Sequence, residues 1–297
     1  MLVDALRSAL EQHYPAIEAW VVDDGSVPPI RLPERFALDG RVHLVRVERS
    51  IGTAAARNLA VDRCAGTFIG FLDDDDEWLP SKTQKQVSAL LDAPDDVAAV
   101  QSGWEFWDES GVLFRFLPDP DRDLRRLVLE RPVMAPTSVL MRRDAFRALG
   151  GFDPTIDRGE DWELWVRLSD RYRVAVIREV HARRRAHPQR LLAPRELPAR
   201  KDMLRRLGPR LARLPDSERR RAEAAHLAVI GRNEAQLGER RQALRTLGRA
   251  LVRSPGHATL YLSVVEAVLS GTPLWRLARE ARRRLHRLGR KPQVRSW

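Results

Sequence analysis

Over residues 1–180, short apolar runs alternate with stretches of helical periodicity, and this rhythm limits the fold more than any single motif. Leu2, Leu6, Ala9, Leu10 and His13 share one helical face. Strand-like runs follow at residues 19–22, 42–47, 67–72 and 97–102. Between the second and third lies a helical stretch at 54–63. Between the third and fourth lies another, opened by Pro80 and Ser81, with Val87, Leu90 and Leu91 inward. This β–α–β–α order predicts an α/β fold around an open, mostly parallel sheet. Such sheets take their ligands at the carboxyl ends of the strands, so the residues there matter most.

The second half reads differently. Pro188, Pro194, Pro198, Pro209 and Pro215 break residues 183–215, which predicts a linker with one short helix. Beyond Asp216 the periodicity is helical. Ala243, Leu244, Leu247 and Leu251 form one stripe, ending at Pro255. Leu260, Val264, Val265 and Val268 form a second. Leu274, Leu277, Ala278, Ala281, Leu285 and Leu288 form a third, with Arg276, Arg279, Arg283, Arg287 and Arg290 on the other faces. Residues 222–255 loosely resemble a tetratricopeptide-type helix pair turning at Leu237-Gly238-Glu239, but a single repeat is too few for a solenoid. Charge divides the chain at the same place. Residues 196–297 carry 24 Lys/Arg and 9 Asp/Glu, and residues 1–195 carry 28 and 32. The expected organisation is an α/β domain at 1–195 and an Arg-rich all-α appendage at 196–297.

Several classes drop out. No run approaches the ~18 uninterrupted apolar residues of a spanning helix. The start, MLVDALRSALEQHY, carries acids and no small-residue cleavage motif, unlike a secretory signal. The only cysteine is Cys64, so a disulfide framework and Cys-rich metal sites are excluded, and a reducing cytoplasm is the expected compartment. The basic tail lacks a zinc motif, an RNA-binding aromatic signature and a basic recognition helix, so no specific nucleic-acid partner is expected. Its third stripe has two readings. One is a helix packed on its neighbours. The other is an interfacial helix within residues 273–297, resting on an anionic membrane surface.

Acids cluster at the strand ends. The first strand runs into Asp23-Asp24-Gly25-Ser26 and the third into Asp73-Asp74-Asp75-Asp76. Consecutive carboxylates repel one another. They are either a solvated turn or a site for a hard divalent cation, Mg²⁺ or Mn²⁺, that leaves room for water and phosphate. Two acidic strand ends in one sheet favour a nucleotide–metal site. A third acidic point, Gly159-Glu160-Asp161-Trp162, is either a helix N-terminus complementing its dipole or the seat of a general base. Trp104, Trp107, Trp162 and Trp165 are either core or a sugar-stacking platform, and the i, i+3 spacing of the last two fits core.

In order along the chain stand Asp23-Asp24-Gly25-Ser26, Gly52…Ala56-Arg57-Asn58, Leu72-Asp73-Asp74-Asp75-Asp76, Gly150-Gly151-Phe152-Asp153, Gly159-Glu160-Asp161-Trp162 and Arg185-Ala186-His187. This series resembles the family 2 glycosyltransferases over roughly residues 1–190. The resemblance implies the GT-A nucleotide-sugar-binding fold and a nucleotide-diphosphate sugar donor, UDP favoured. It implies that Asp24 and Asp23 contact the nucleobase, that Arg57 lies near base or phosphates, and that Asp73 faces the ribose. Asp75 would bind the bridging metal, with His187 reaching metal or diphosphate. Arg183, Arg184 and Arg185, just ahead of His187, are either a plain basic loop or a diphosphate clamp whose cations neutralise the product phosphates. Asp161 would be the catalytic base, with Glu160 next in line. The family's opening strand is missing ahead of Leu2, which leaves the implied nucleobase pocket open on one side.

The resulting expectation is an inverting, metal-dependent glycosyltransferase acting on a hydroxyl of a glycan or lipid-linked acceptor in envelope biosynthesis. It would be cytoplasmic, with a peripheral position on the inner membrane face as the extension. The competing expectation is a catalytically idle, truncated domain that serves as a protein or membrane docking module.

Overall fold

The structure is a computed structural model that describes residues 1–186, 196–256, 258–269 and 293–296. These fall into two compact units. The first comprises residues 1–128, 132–186 and 293–296, and the second residues 129–131, 196–256 and 258–269.

In the first unit, α1 (Leu2–Leu10) buries Ala5, Leu6 and Ala9, as its spacing predicts. His13 lies beyond the helix and is exposed. Strand β1 (Ala19–Asp24) pairs in parallel with β2 (Val42–Val47), and the short α2 (Glu34–Ala37) lies between them. Next come α3 (Thr53–Arg63), β3 (Phe68–Gly70), β4 (Glu77–Trp78) and α4 (Lys82–Leu91). Leu90 is fully buried on α4, but Leu91 is exposed, because a one-residue step turns about 100° around a helix. Val87 and Leu90 pack with Val97, Val100 and Leu140 in the core.

The long β5 (Val97–Asp108) organises the main sheet. Along one edge it pairs in parallel with β8 (Arg173–Arg185). On the other edge it pairs antiparallel with β7 (Val139–Arg142), then with β6 (Gly111–Leu117). β3 pairs antiparallel with β7, and β4 antiparallel with β8. The α/β class is as expected, but the sheet is mixed and not mostly parallel. The rhythm predicted crossovers up to the fourth strand. After it the chain returns through a hairpin at Glu109-Ser110, and a tight turn enforces antiparallel pairing. α5 (Leu124–Glu130), α6 (Arg143–Ala148) and α7 (Glu160–Arg171) complete the order up to Arg185.

In the second unit, α8 (Glu196–Leu211), α9 (Asp216–Gln236), α10 (Arg240–Arg253) and α11 (Ala258–Leu269) form a helical group. Within the predicted proline-broken linker, the described residues 196–211 form one long helix where a short one was expected. Pro198 falls in the first turn of α8, where a missing N–H costs nothing, and Pro209 stands close to its end. Arg183–Arg185, placed in the same linker, close β8. The α9–α10 turn falls at Leu237–Glu239 as expected, and Ala243, Leu247 and Ala250 are fully buried. On α11 the buried face carries Leu260 and Ala267, while Val265 and Val268 are exposed. His226 is buried and donates from Nε2 to the Leu129 carbonyl at 2.8 Å, and burial pushes its pKa down to about 3. The Leu274–Leu288 stripe lies outside the described residues. Gln293–Ser296 form β9, parallel to β6 in the first unit, a strand that helical periodicity did not announce.

Candidate active site

Local rules place the acidic motifs. β3 ends at Gly70, and its continuation delivers Asp73, Asp75 and Asp76 into the turn before β4. One carboxylate oxygen from each lies within 4.8 Å of the other two. Asp75 and Asp76 are buried, whereas Asp74 is exposed. Among the described residues, Asp76 Oδ2 accepts no hydrogen bond, and it forms an ion pair with Arg184 Nε at 3.5 Å. Burial lifts the Asp76 carboxyl to about 7 against the pull of Arg184, helped by the charges of Asp73 and Asp75. A compact group of carboxylates, two buried and Asp73 half-buried, that repel one another is a fitting donor set for a hard divalent ion.

Glu160 and Asp161 open α7. Gly159 precedes them at φ 87°, a left-handed conformation that costs glycine little and turns the chain into the helix. Arg57, on α3, ties this helix end to the carboxylate turn. Its Nη1 donates to Glu160 at 2.8 Å and its Nη2 to Asp73 at 2.7 Å. Beneath the guanidinium lie the rings of Phe152 and Phe71, at 5.4 and 5.9 Å. Burial holds the Glu160 and Asp161 carboxyls above the ordinary carboxylate range, and Arg57 works against it. A base with a raised pKa is better matched to proton transfer near neutrality. Asn58, next to Arg57, exchanges two hydrogen bonds with the Phe152 backbone, at 2.8 and 2.9 Å. The Gly150-Gly151 turn makes this possible, since a Cβ on Gly151 would stand 2.7 Å from Asn58 Oδ1.

The first acidic pair is committed to its own loops. Asp23 is buried and accepts from the Ser26 and Ile30 amides, at 2.9 and 3.0 Å, and from Arg46. Asp24 accepts from Ser50 Oγ and the Ile51 amide at 2.7 Å and from the Gly52 amide at 3.0 Å. Both therefore shape the rim at the end of β1.

At Arg185 the backbone amide donates to Asp76 Oδ1 at 3.2 Å, while the guanidinium stacks over Trp107 at 4.3 Å. Of the three arginines Arg183–Arg185, it is Arg184 that brings a guanidinium to Asp76, lying over Trp104 and Phe106. Strand alternation is the signal that separates it from Arg183 and Arg185, because neighbours on β8 face opposite sides. His187 lies outside the described residues. Trp162 and Trp165 are buried core, and the Trp162 indole donates to the Val128 carbonyl at 2.5 Å. Lys82, not singled out by the sequence, is fully buried with its ammonium 4.0 Å from the centre of the Trp78 ring.

Residues 1–150 match the family described as Glycosyl transferase family 2, about half of the chain. The chain belongs to that family. Among its relatives is the Escherichia coli UDP-Glc:alpha-D-GlcNAc-diphosphoundecaprenol beta-1,3-glucosyltransferase WfgD. It is 28% identical over 164 residues, covering 55% of this chain and 62% of the relative. The succinoglycan biosynthesis protein ExoU of Rhizobium meliloti is 31% identical over 189 residues, covering 55% of this chain and 51% of the relative. The chain thus spans about half to two thirds of the length of these relatives. The crystal structure of S. aureus TarS 1-349 has the same fold, with a TM-score of 0.58 at 18% identity over 95% of this chain and 87% of that one. A second TarS structure, in complex with UDP, gives 0.56 at 15% identity over the same shares. The GT-A expectation therefore holds.

Proposed function

We propose that this family 2 member is an inverting glycosyltransferase that moves a sugar from a nucleotide-diphosphate donor to a hydroxyl of an envelope glycan or lipid-linked acceptor. One observation carries the reading. Arg57 joins Asp73, in the carboxylate turn, to Glu160, beside Asp161, so the two acidic motifs form one assembly. A catalytically idle docking domain has no use for buried carboxylates held in this way.

Asp75, with Asp73 and Asp76, would hold Mg²⁺ or Mn²⁺. When bound, such an ion supplies Lewis-acid stabilisation of charge on the departing diphosphate. Asp161 takes the proton from the acceptor hydroxyl as its oxygen bonds to the anomeric carbon, and the bond from that carbon to the diphosphate oxygen breaks. A single displacement inverts the centre, by the stereochemical logic of one-step glycosidases. Glu160, engaged by Arg57, orients the helix end that carries Asp161. Arg184 adds a cation on the diphosphate side of Asp76. Asp23 and Asp24 build the rim against which a nucleobase sits.

UDP as the nucleotide is supported by the TarS complex. A lipid-linked acceptor is supported by the name of WfgD. No described helix is long and apolar enough to cross a membrane. A peripheral position through residues 273–297 remains part of this proposal, as does a cytoplasmic setting. The test is transfer by Asp161→Asn. Donor affinity is expected to persist while transfer falls about 10²–10⁴-fold, the usual loss of a general base. Lost affinity with an unchanged rate for bound donor would assign Asp161 to binding.

A further inference from the structure

Glu105 lies in the middle of β5 with a side chain only 4% exposed. Its register partners are Arg115 on β6 and Arg183 on β8, so all three occupy one face of the sheet. Arg115 Nε donates to Glu105 Oε2 at 3.0 Å, and Arg183 Nε donates to Oε1 at 2.9 Å. Both arginine side chains are 44% exposed. Each spends only Nε on the carboxylate. Among the described residues, their terminal Nη groups make no hydrogen bond and neither arginine has another ion pair.

Glu77, the β4 register partner of Arg183, adds a second carboxylate to this face, but among the described residues it forms an ion pair with neither arginine, and the two guanidiniums flank Glu105 as like charges, an arrangement that costs stability. An anion between the two open forks removes that cost. Guanidinium forks match the oxygens of phosphate, and a buried anchor fixes them in advance. Arg184, the neighbour of Arg183, meets Asp76 on the other face. An anion held by Arg115 and Arg183 is therefore not the donor's diphosphate.

We infer that Arg115 and Arg183, anchored on Glu105, form a second phosphate-binding site on the sheet face opposite the carboxylate cluster. This goes beyond the proposed transfer reaction and does not depend on it. The ligand is a phosphate or diphosphate oxyanion, either on a lipid headgroup or in a soluble phosphorylated compound.

The experiment is calorimetric titration of inorganic pyrophosphate into the full chain in EDTA, which strips divalent ions from the Asp73–Asp76 turn. The double variant R115Q/R183Q is expected to bind at least about tenfold more weakly, the loss of one charge-assisted contact or more. E105Q separates a built clamp from diffuse positive charge. Removing a negative charge would tighten binding to a diffuse patch, whereas losing the anchor weakens a clamp, and weakening is expected. R115K/R183K keeps the charges and the pairing with Glu105 but not the forks, and it too is expected to bind more weakly. Asp75→Asn is expected to leave pyrophosphate affinity unchanged, so failure of the transfer reading would not touch this result. Undiminished affinity in R115Q/R183Q or R115K/R183K, or tighter binding by E105Q, overturns the site. Flotation with phosphatidylglycerol vesicles identifies the source. Loss of flotation in R115Q/R183Q supports the site and assigns the phosphate to lipid. Unchanged flotation beside weakened pyrophosphate binding supports the site and assigns it to a soluble ligand.

Discussion

At the residue scale, the carboxylates of the β3–β4 turn differ in burial, and that difference orders their roles. Asp75 is buried within the cluster and Asp74 is exposed outside it. Asp75→Ala is expected to abolish turnover and metal-dependent nucleotide binding, and Asp74→Ala to reduce turnover only mildly. Full activity of Asp75→Ala in EDTA would show that the metal site lies elsewhere. The raised Asp161 carboxyl has a signature in pH. A base must be deprotonated to work, so the rate climbs as pH rises through its pKa. The acid limb of the kcat profile is expected well above the ~3.9 of an ordinary aspartate. An acid limb at the ordinary value would contradict the burial argument. The resemblance places Arg57 near base or phosphates, and in the structure both ends of its fork pair with carboxylates. Those partners, Asp73 and Glu160, are 16 and 103 residues away along the chain, a distance that local pattern does not carry.

At the element scale, the termini of α4 and α7 support the site. Lys82 begins α4 with a fully buried ammonium against Trp78, whose indole donates to the Thr137 carbonyl at 2.9 Å. Burial pushes its pKa from the ordinary lysine value down to about 7. The folded state therefore binds fewer protons than the unfolded chain between about pH 7 and the ordinary lysine pKa. Stability from this group rises with pH across that window, and the penalty is full below it. Lys82→Met is expected to raise Tm most near pH 6 and progressively less toward pH 10. A gain that is constant with pH would contradict the buried cation. Gly151→Ala is expected to cost about 1–3 kcal/mol in urea unfolding, from a φ of 70° and the close approach to Asn58. Elements 1–102 were largely legible because apolar alternation and capping act locally, and β2 and α3 fall almost where periodicity put them. The antiparallel strands after β5 were not legible. Their direction is set by the Glu109-Ser110 hairpin and by pairing partners far along the chain. α8 was hidden by prolines that the ends of a helix tolerate. Of the site, the acidic residues were legible by type and spacing. Glu105 was not, nor was which of Arg183–Arg185 meets Asp76, since strand register decides which face each occupies.

At the scale of the whole molecule, the acidic first part and the basic last part are separate in composition, and the described residues fall into two units. The catalytic proposal rests on the first unit alone, where the acidic assembly stands in a fold shared with TarS. Its central claim is that this assembly binds a nucleoside diphosphate through a divalent ion. The direct test is calorimetry of UDP, GDP and dTDP with the full chain, in Mn²⁺ and again in EDTA. UDP is expected to bind in Mn²⁺, and the heat to vanish in EDTA and in Asp75→Ala. Equal affinity in EDTA, or no binding of any of the three in Mn²⁺, would contradict the account.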